Sequence, residues 1–168
     1  MEYKLKPISQ GGVSEAVAKA ELYRNLNQPE EAESICRDIL ALEPDHQLAL
    51  RLLGLALTDQ FTGGLEDRYA EAETSFGRLA DPYEQIYYSG ILHQRRAKAQ
   101  GQAGRPPHLL RVLLERAMQC FEEAEKIRPP GNDDAILHWN RCLRLMESLP
   151  QAGEPAWEAL SAGDDPPV

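Results

Sequence analysis

His138 and Cys142 stand four residues apart in a stretch of helical composition, a spacing that sets both side chains on one helical face. An imidazole beside a thiol is the arrangement in this chain best suited to chemistry, as a thiolate–imidazole pair or as half of a zinc site. Zinc needs two further ligands, and none is spaced to supply them: His46, His93 and His108 are scattered singly, and Cys36 and Cys120 lie at other places in the chain. There is no glycine-rich phosphate loop, no serine elbow and no H-E-x-x-H. An enzyme or metal-binding protein built around His138 and Cys142 is therefore the lesser reading. The expectation is no catalytic residue, no cofactor and no metal, with His138 a surface histidine beside a core cysteine. Three cysteines without paired spacing disfavour a disulfide framework, and small buried hydrophobe is their expected role.

Charge is more informative. The net charge of -9 argues against non-specific nucleic-acid binding by the whole surface. Between His93 and Arg116, however, six basic residues (Arg95, Arg96, Lys98, Arg105, Arg111, Arg116) meet one acid, Glu115. A solvated helical surface accounts for such a run; the sharper reading is a basic patch, with Arg96, Lys98, Arg105 and Arg111, that contacts an acidic partner. Phosphate binding by this patch alone is the remaining alternative. After Leu149 the composition changes again: residues 150–168 are rich in proline and glycine and carry Glu154, Glu158, Asp164 and Asp165 with no base. Trp157 and Leu160, three apart, can form one amphipathic turn there. Such an acidic tail with an apolar anchor offers a route to self-association or to docking in a groove of its own chain.

The elements that position these residues follow from a repeat. Ala32 precedes Pro44 by twelve residues, and Ala117 precedes Pro129 by twelve. A third copy starts at Ala72, with Pro82 two residues early. Four residues after each alanine stands Cys36, Phe76 or Phe121: a small residue lets a neighbouring helix approach, a larger one fills the gap, and the proline stops the helix. Upstream, Leu50, Leu53, Gly54 and Leu57 mark the packed face of a partner helix, with weaker versions at Ala16, Lys19, Ala20 and Tyr23, at Ile86, Ser89, Gly90 and His93, and at Ile136, Trp139, Asn140 and Leu143.

Over residues 13–147 this pattern resembles the tetratricopeptide repeat family, whose W-x2-L-G-x2-Y, A-x3-F and P recur about every 34 residues. The resemblance implies an all-α fold: a right-handed α-α superhelix of about three helix pairs plus a C-terminal capping helix. It also implies a non-catalytic adaptor or assembly factor that binds a protein or peptide in a concave groove lined by the first helix of each pair. Carried onto this sequence, the groove is Val17, Arg24, Leu48, Arg51, Leu55, Tyr87, Ile91, Arg95, Leu137 and Arg141. Apolar residues there would grip an amphipathic, acidic ligand, and arginines would pair with its carboxylates. One subgroup clamps chaperone tails with lysine and asparagine; Val17, Glu21, Leu52, Glu84 and Tyr88 stand at the matching places, so that clamp is missing. Another subgroup, small acidic chaperones that hold secretion or assembly clients, is similar in size and charge.

The spacing is uneven, 40 residues from Ala32 to Ala72 and 45 from Ala72 to Ala117, so insertions belong in the second and third pairs. The first is read at Gln60 to Asp67, where Gly63 and Gly64 break the helix and Glu66 and Asp67 suit the start of the next. The second, Gly101 to Pro107, joins lengthened helices over 83–100 and 108–127. The chain thus divides into an N-terminal segment (1–12), a helical repeat domain (13–149) and the acidic tail (150–168). No stretch has the length and apolarity of a signal peptide or membrane span, and the expected location is the cytoplasm, with neither membrane nor nucleic acid as a partner.

Overall fold

The structure, a computed structural model, describes residues 2–64 and 67–151. Among those residues every regular element is helical. A 3₁₀ turn at Gln10–Gly12 leads into α1 (Val13–Asn25), α2 (Pro29–Leu42), α3 (Gln47–Asp59), α4 (Tyr69–Gly77), α5 (Pro82–Gln102), α6 (Pro107–Lys126) and α7 (Asp134–Glu147). Glu66, Trp157, Leu160 and the acids beyond Gln151 lie outside the described residues.

The punctuation works as its chemistry requires, with two differences, at Pro82 and Asp67. Pro29 opens α2 with Glu30 and Glu31 behind it, where the missing N–H costs nothing and the acids meet the positive helix end. Before it, Asn27 turns the chain at φ 58°, and Gln28 precedes Pro29 without a capping side chain. Pro44 and Pro129 follow the ends of α2 and α6, whereas Pro82 begins α5 instead of stopping α4, which has already ended at Gly77. Asp67 serves the loop and not the helix start, because its carboxylate accepts from Thr62 N at 2.9 Å and Gly63 N at 2.8 Å. His46 caps α3, its Nδ1 accepting from Ala49 N at 3.2 Å.

The described chain forms two compact units. The first runs to Gln60 and resumes over Arg68–Gln85; the second holds Phe61–Asp67 and the residues from Ile86 onward. In the first, α1 packs on α2, α2 on α3 and α3 on α4, and α1 also reaches α3. Val13, Val17 and Ala20 form the buried row of α1 at i, i+4 and i+7, and Ala32, Cys36 and Ile39 that of α2. Helix α3 is buried nearly all round, from Ala49 to Thr58, as a helix with neighbours on several sides must be. Phe76, wholly buried, lies over Gly54: a Cβ on that glycine would come within 2.3 Å of the ring. Burying such a ring contributes about 1.5–3 kcal/mol.

The second unit repeats the device. Phe121 lies against Gly90, where a Cβ would be 2.6 Å from the ring; α6 packs on α7, and Ala117, Phe121 and Ala124 of α6 and Ala135 and Cys142 of α7 are all wholly buried. The alanine-plus-four residues predicted from spacing are therefore core in all three pairs. At the place of the glycines the first pair carries Ala20, and at the place of the phenylalanines Cys36, both wholly buried: one side gains a methyl and the other loses a ring. Gly63, at φ 80°, brings its backbone onto α5, where a Cβ would lie 2.5 Å from the Ala99 carbonyl oxygen.

Candidate functional site

The basic run of the sequence sits on the end of α5, the start of α6 and the turn between them. Here the chain forms an apolar cleft of about 290 Å³, bounded by these ends and by the end of α7 with the residues after it. Ala97, Leu110 and Leu114 are its buried floor, and Leu145, Leu149 and Pro150 form the opposite wall. Lys98 and Arg105, both exposed, stand at its rim. The shape follows from the small residues: Ala97, Gly101 and Gly104 line one side without filling it, and Leu110 lies 3.3 Å from where a Gly101 Cβ would stand. The volume is at the lower end of small-ligand pockets and suits one large apolar side chain with polar flanks outside. Arg96 and Arg111, the other residues of the predicted patch, are half-buried and do not line the cleft.

The predicted groove residues fall into both units. In the first, Val17 is a core residue at 7% exposure, because it shares the inward row of Val13 and Ala20; it offers no groove surface. Arg24 reaches Asp59 on α3 at 2.6 Å, and Arg51 reaches Glu84 at 2.7 Å. These two arginines are held by carboxylates of the same chain. Leu48 is exposed at 37% and Leu55 half-buried.

In the second unit Ile91 is a core residue at 3% exposure, since the middle of α5 is covered on several sides from Gly90 to Gln94. Tyr87 joins an aromatic cluster, 5.0 Å from Tyr88, 5.9 Å from Phe121 and 5.7 Å from His138. Leu137, at 61% exposure, and Arg141 are open to solvent, and Arg95 is half-buried.

His138, expected at the surface, is half-buried and stacks on Phe121 at 5.5 Å. Gln94, itself buried, organises it. The Gln94 carbonyl oxygen lies 2.8 Å from His138 Nδ1, and the Gln94 amide donates to Cys142 Sγ at 3.3 Å. With an amide oxygen as its neighbour, Nδ1 carries the proton. Burial, and then the charge of Arg95, holds the imidazole below its ordinary pKa, against a smaller pull from Asp134. Burial pushes the Cys142 thiol up to about 11, over the opposing Gln94 hydrogen bond and Arg141 charge. A neutral imidazole and a protonated thiol separated by a glutamine are a buried polar tie, and the amide takes the place a thiolate–imidazole contact requires. Burial likewise pushes Cys36 up to about 12 and raises Cys120, which is only half-buried. Among the described residues no group of three or more His, Cys, Asp or Glu is placed to hold a metal ion, and no helix is long and apolar enough to cross a membrane.

One cluster escaped the sequence reading. Glu33 of α2, 8% exposed, accepts from Arg68 through both oxygens at 2.5 and 2.6 Å, from Arg37 at 2.8 Å and from Gln60 at 2.8 Å, while Arg37 also reaches Glu71 at 2.5 Å. Burial would raise the Glu33 carboxyl; the hydrogen bonds of Arg68, Gln60 and Arg37 and the Arg68 charge overcome it and hold the group at about 2. Two arginines and two glutamates make the cluster neutral. It grips the end of α3 at Gln60 and the start of α4 at Arg68, the two ends of the first insertion. The only signal in the sequence was an acid beside the repeat alanine, at a place where solvent would have been the natural guess. No protein-family model, curated protein or solved structure matches the chain.

Proposed function

We propose that the chain is a non-catalytic binding module of tetratricopeptide type, an adaptor or assembly factor that holds a protein or peptide segment. The ligand has one bulky apolar anchor with acidic flanks, and the cleft at the α5–α6 turn is where it binds. What supports this reading is the coincidence, in one place, of an open apolar depression with the exposed cations Lys98 and Arg105 on a chain whose net charge is -9. An apolar anchor supplies affinity by burial, and the rim cations select carboxylates and speed encounter. Within the predicted groove, Arg24 and Arg51 are engaged with Asp59 and Glu84, so this function rests on the cleft and not on those arginines.

The test is fluorescence anisotropy with two labelled peptide pools, each with a single tryptophan or leucine anchor, one flanked by glutamates and aspartates, the other by lysines. The acidic pool binds, weakens as salt rises, and is lost in a Lys98→Glu/Arg105→Glu variant. Failure of the acidic pool to bind, or binding unchanged in that variant, overturns the reading. Binding of short RNA at low salt in place of the acidic pool replaces it with phosphate recognition.

A further inference from the structure

The cleft has a candidate occupant within the same chain. Its wall ends in Leu149 and Pro150, and the segment that follows carries Trp157 and Leu160 among Glu154, Glu158, Asp164 and Asp165, with no basic residue. We infer that this segment covers the cleft of its own chain, Trp157 seated between Leu110, Leu114 and Leu145 and the acids meeting Lys98 and Arg105. The inference rests on the cleft being the binding site proposed above, and it names how that site is regulated.

Three observations carry it. The first is reach: Trp157 is seven positions beyond Pro150, up to about 23 Å of extended chain, so a segment that starts at the cleft wall has the length to return to it. The second is charge. The segment is acid without base, and the exposed charged side chains lining the cleft, Lys98 and Arg105, are both cations. The third is size, because a depression of about 290 Å³ lined by leucines takes one large side chain and not a helix. A short tether decides between this chain and a second copy. Its effective concentration is about 1 mM, above that of free copies in dilute solution. A weak intrinsic dissociation constant of about 0.1 mM then leaves the cleft open about one-tenth of the time, and a competing ligand binds about tenfold more weakly than to an uncovered cleft.

The probe is a labelled synthetic peptide of residues 151–168, titrated into the full chain and into a full-length Trp157→Ser/Leu160→Ser variant. Both substitutions lie outside the helices that build the cleft. The variant binds the probe about tenfold more tightly than wild type, and adding Lys98→Glu/Arg105→Glu to it abolishes binding. In a Trp139→Phe background, where Trp157 is the one remaining tryptophan, wild-type rim residues protect its fluorescence from acrylamide and the reversed rim exposes it. Equal affinity of wild type and tail variant for the probe, together with binding of the acidic pool, sinks the inference and leaves the proposed function standing. If the acidic pool also fails, both fall. Protection that rises with protein concentration, with doubling of mass in sedimentation, assigns the segment to a second copy and overturns the intramolecular arrangement.

Discussion

Replacing Gly54 by alanine adds one methyl group at a helical position, where propensity alone gives a gain of about 0.5–1 kcal/mol. The structure reverses the sign. The new Cβ would stand 2.3 Å from Phe76 Cε1 and 2.7 Å from two further ring atoms, distances no carbon pair tolerates. The ring is wholly buried, so relief requires a shift of α4 against α3, and overpacking of this kind costs about 1–3 kcal/mol. The net expectation is a loss of about 1–2 kcal/mol, read as a lower urea midpoint at unchanged slope. Gly77→Ala, at the last residue of α4 with nothing within 4 Å of its Cβ, is the control and should be neutral or mildly stabilising. Phe76→Leu removes the clashing atoms and costs its own cavity. The double variant Gly54→Ala/Phe76→Leu is then more stable than the sum of the single changes by at least about 1 kcal/mol. A neutral or stabilising Gly54→Ala, or strict additivity of the pair, would refute the reasoning that this glycine exists to admit the ring. Gly90 and Phe121 give the same result in the second unit.

Glu33→Gln removes the charge on which Arg68, Arg37 and Gln60 converge, and costs about 2 kcal/mol at pH 7 after allowance for the exposure of both arginines. The folded carboxyl sits at about 2, below its ordinary 4.5, so its stabilisation is present above pH 4.5 and lost as pH falls through 2. The gap between wild type and variant should narrow in urea melts taken from pH 7 to pH 3; a gap that ignores pH disproves the charge argument. Maleimide at neutral pH should modify Cys120 first, while Cys36 and Cys142 react only as urea opens the core. Mass spectrometry that finds Cys142 labelled first would restore a reactive thiol at His138. Gly63→Ala should lower stability by about 1–3 kcal/mol, through both its positive φ and contact with Ala99, and Gly104→Ala, with open space around it, by less. Thermal melts that rank the two in the opposite order would contradict this.

What could be read from the sequence was whatever the backbone repeats locally. Ala32, Ala72 and Ala117 with their partners four residues on, and Gly54 and Gly90, carry their reason in spacing, because a close helix approach needs a small residue at a fixed phase. Val17 and Ile91 were assigned to an open face by the same phase and are buried. A single phase presumes one packed face, whereas α1 packs on both α2 and α3, and α5 is covered around Ile91. The ion pairs of Arg24 with Asp59, Arg51 with Glu84 and Glu33 with Arg68 join residues 33 to 35 apart, a separation fixed by stacking and invisible until the helices are placed. The cleft was half legible. Its cations were conspicuous at Lys98 and Arg105, but its opposite wall, Leu145, Leu149 and Pro150, needed α6 and α7 brought together.

The contrast between Ala20 with Cys36 and Gly54 with Phe76 bears on how the chain assembles. Repeats of near-identical sequence can pair out of order while folding, each second helix being acceptable to several first helices. Here a phenyl ring cannot enter beside the methyl of Ala20, and a thiol set over Gly54 leaves a hole. The first pair is keyed apart from the two that share glycine and phenylalanine, and the energy gap between its correct partner and a swapped one is written into a methyl group and a ring at two facing buried positions.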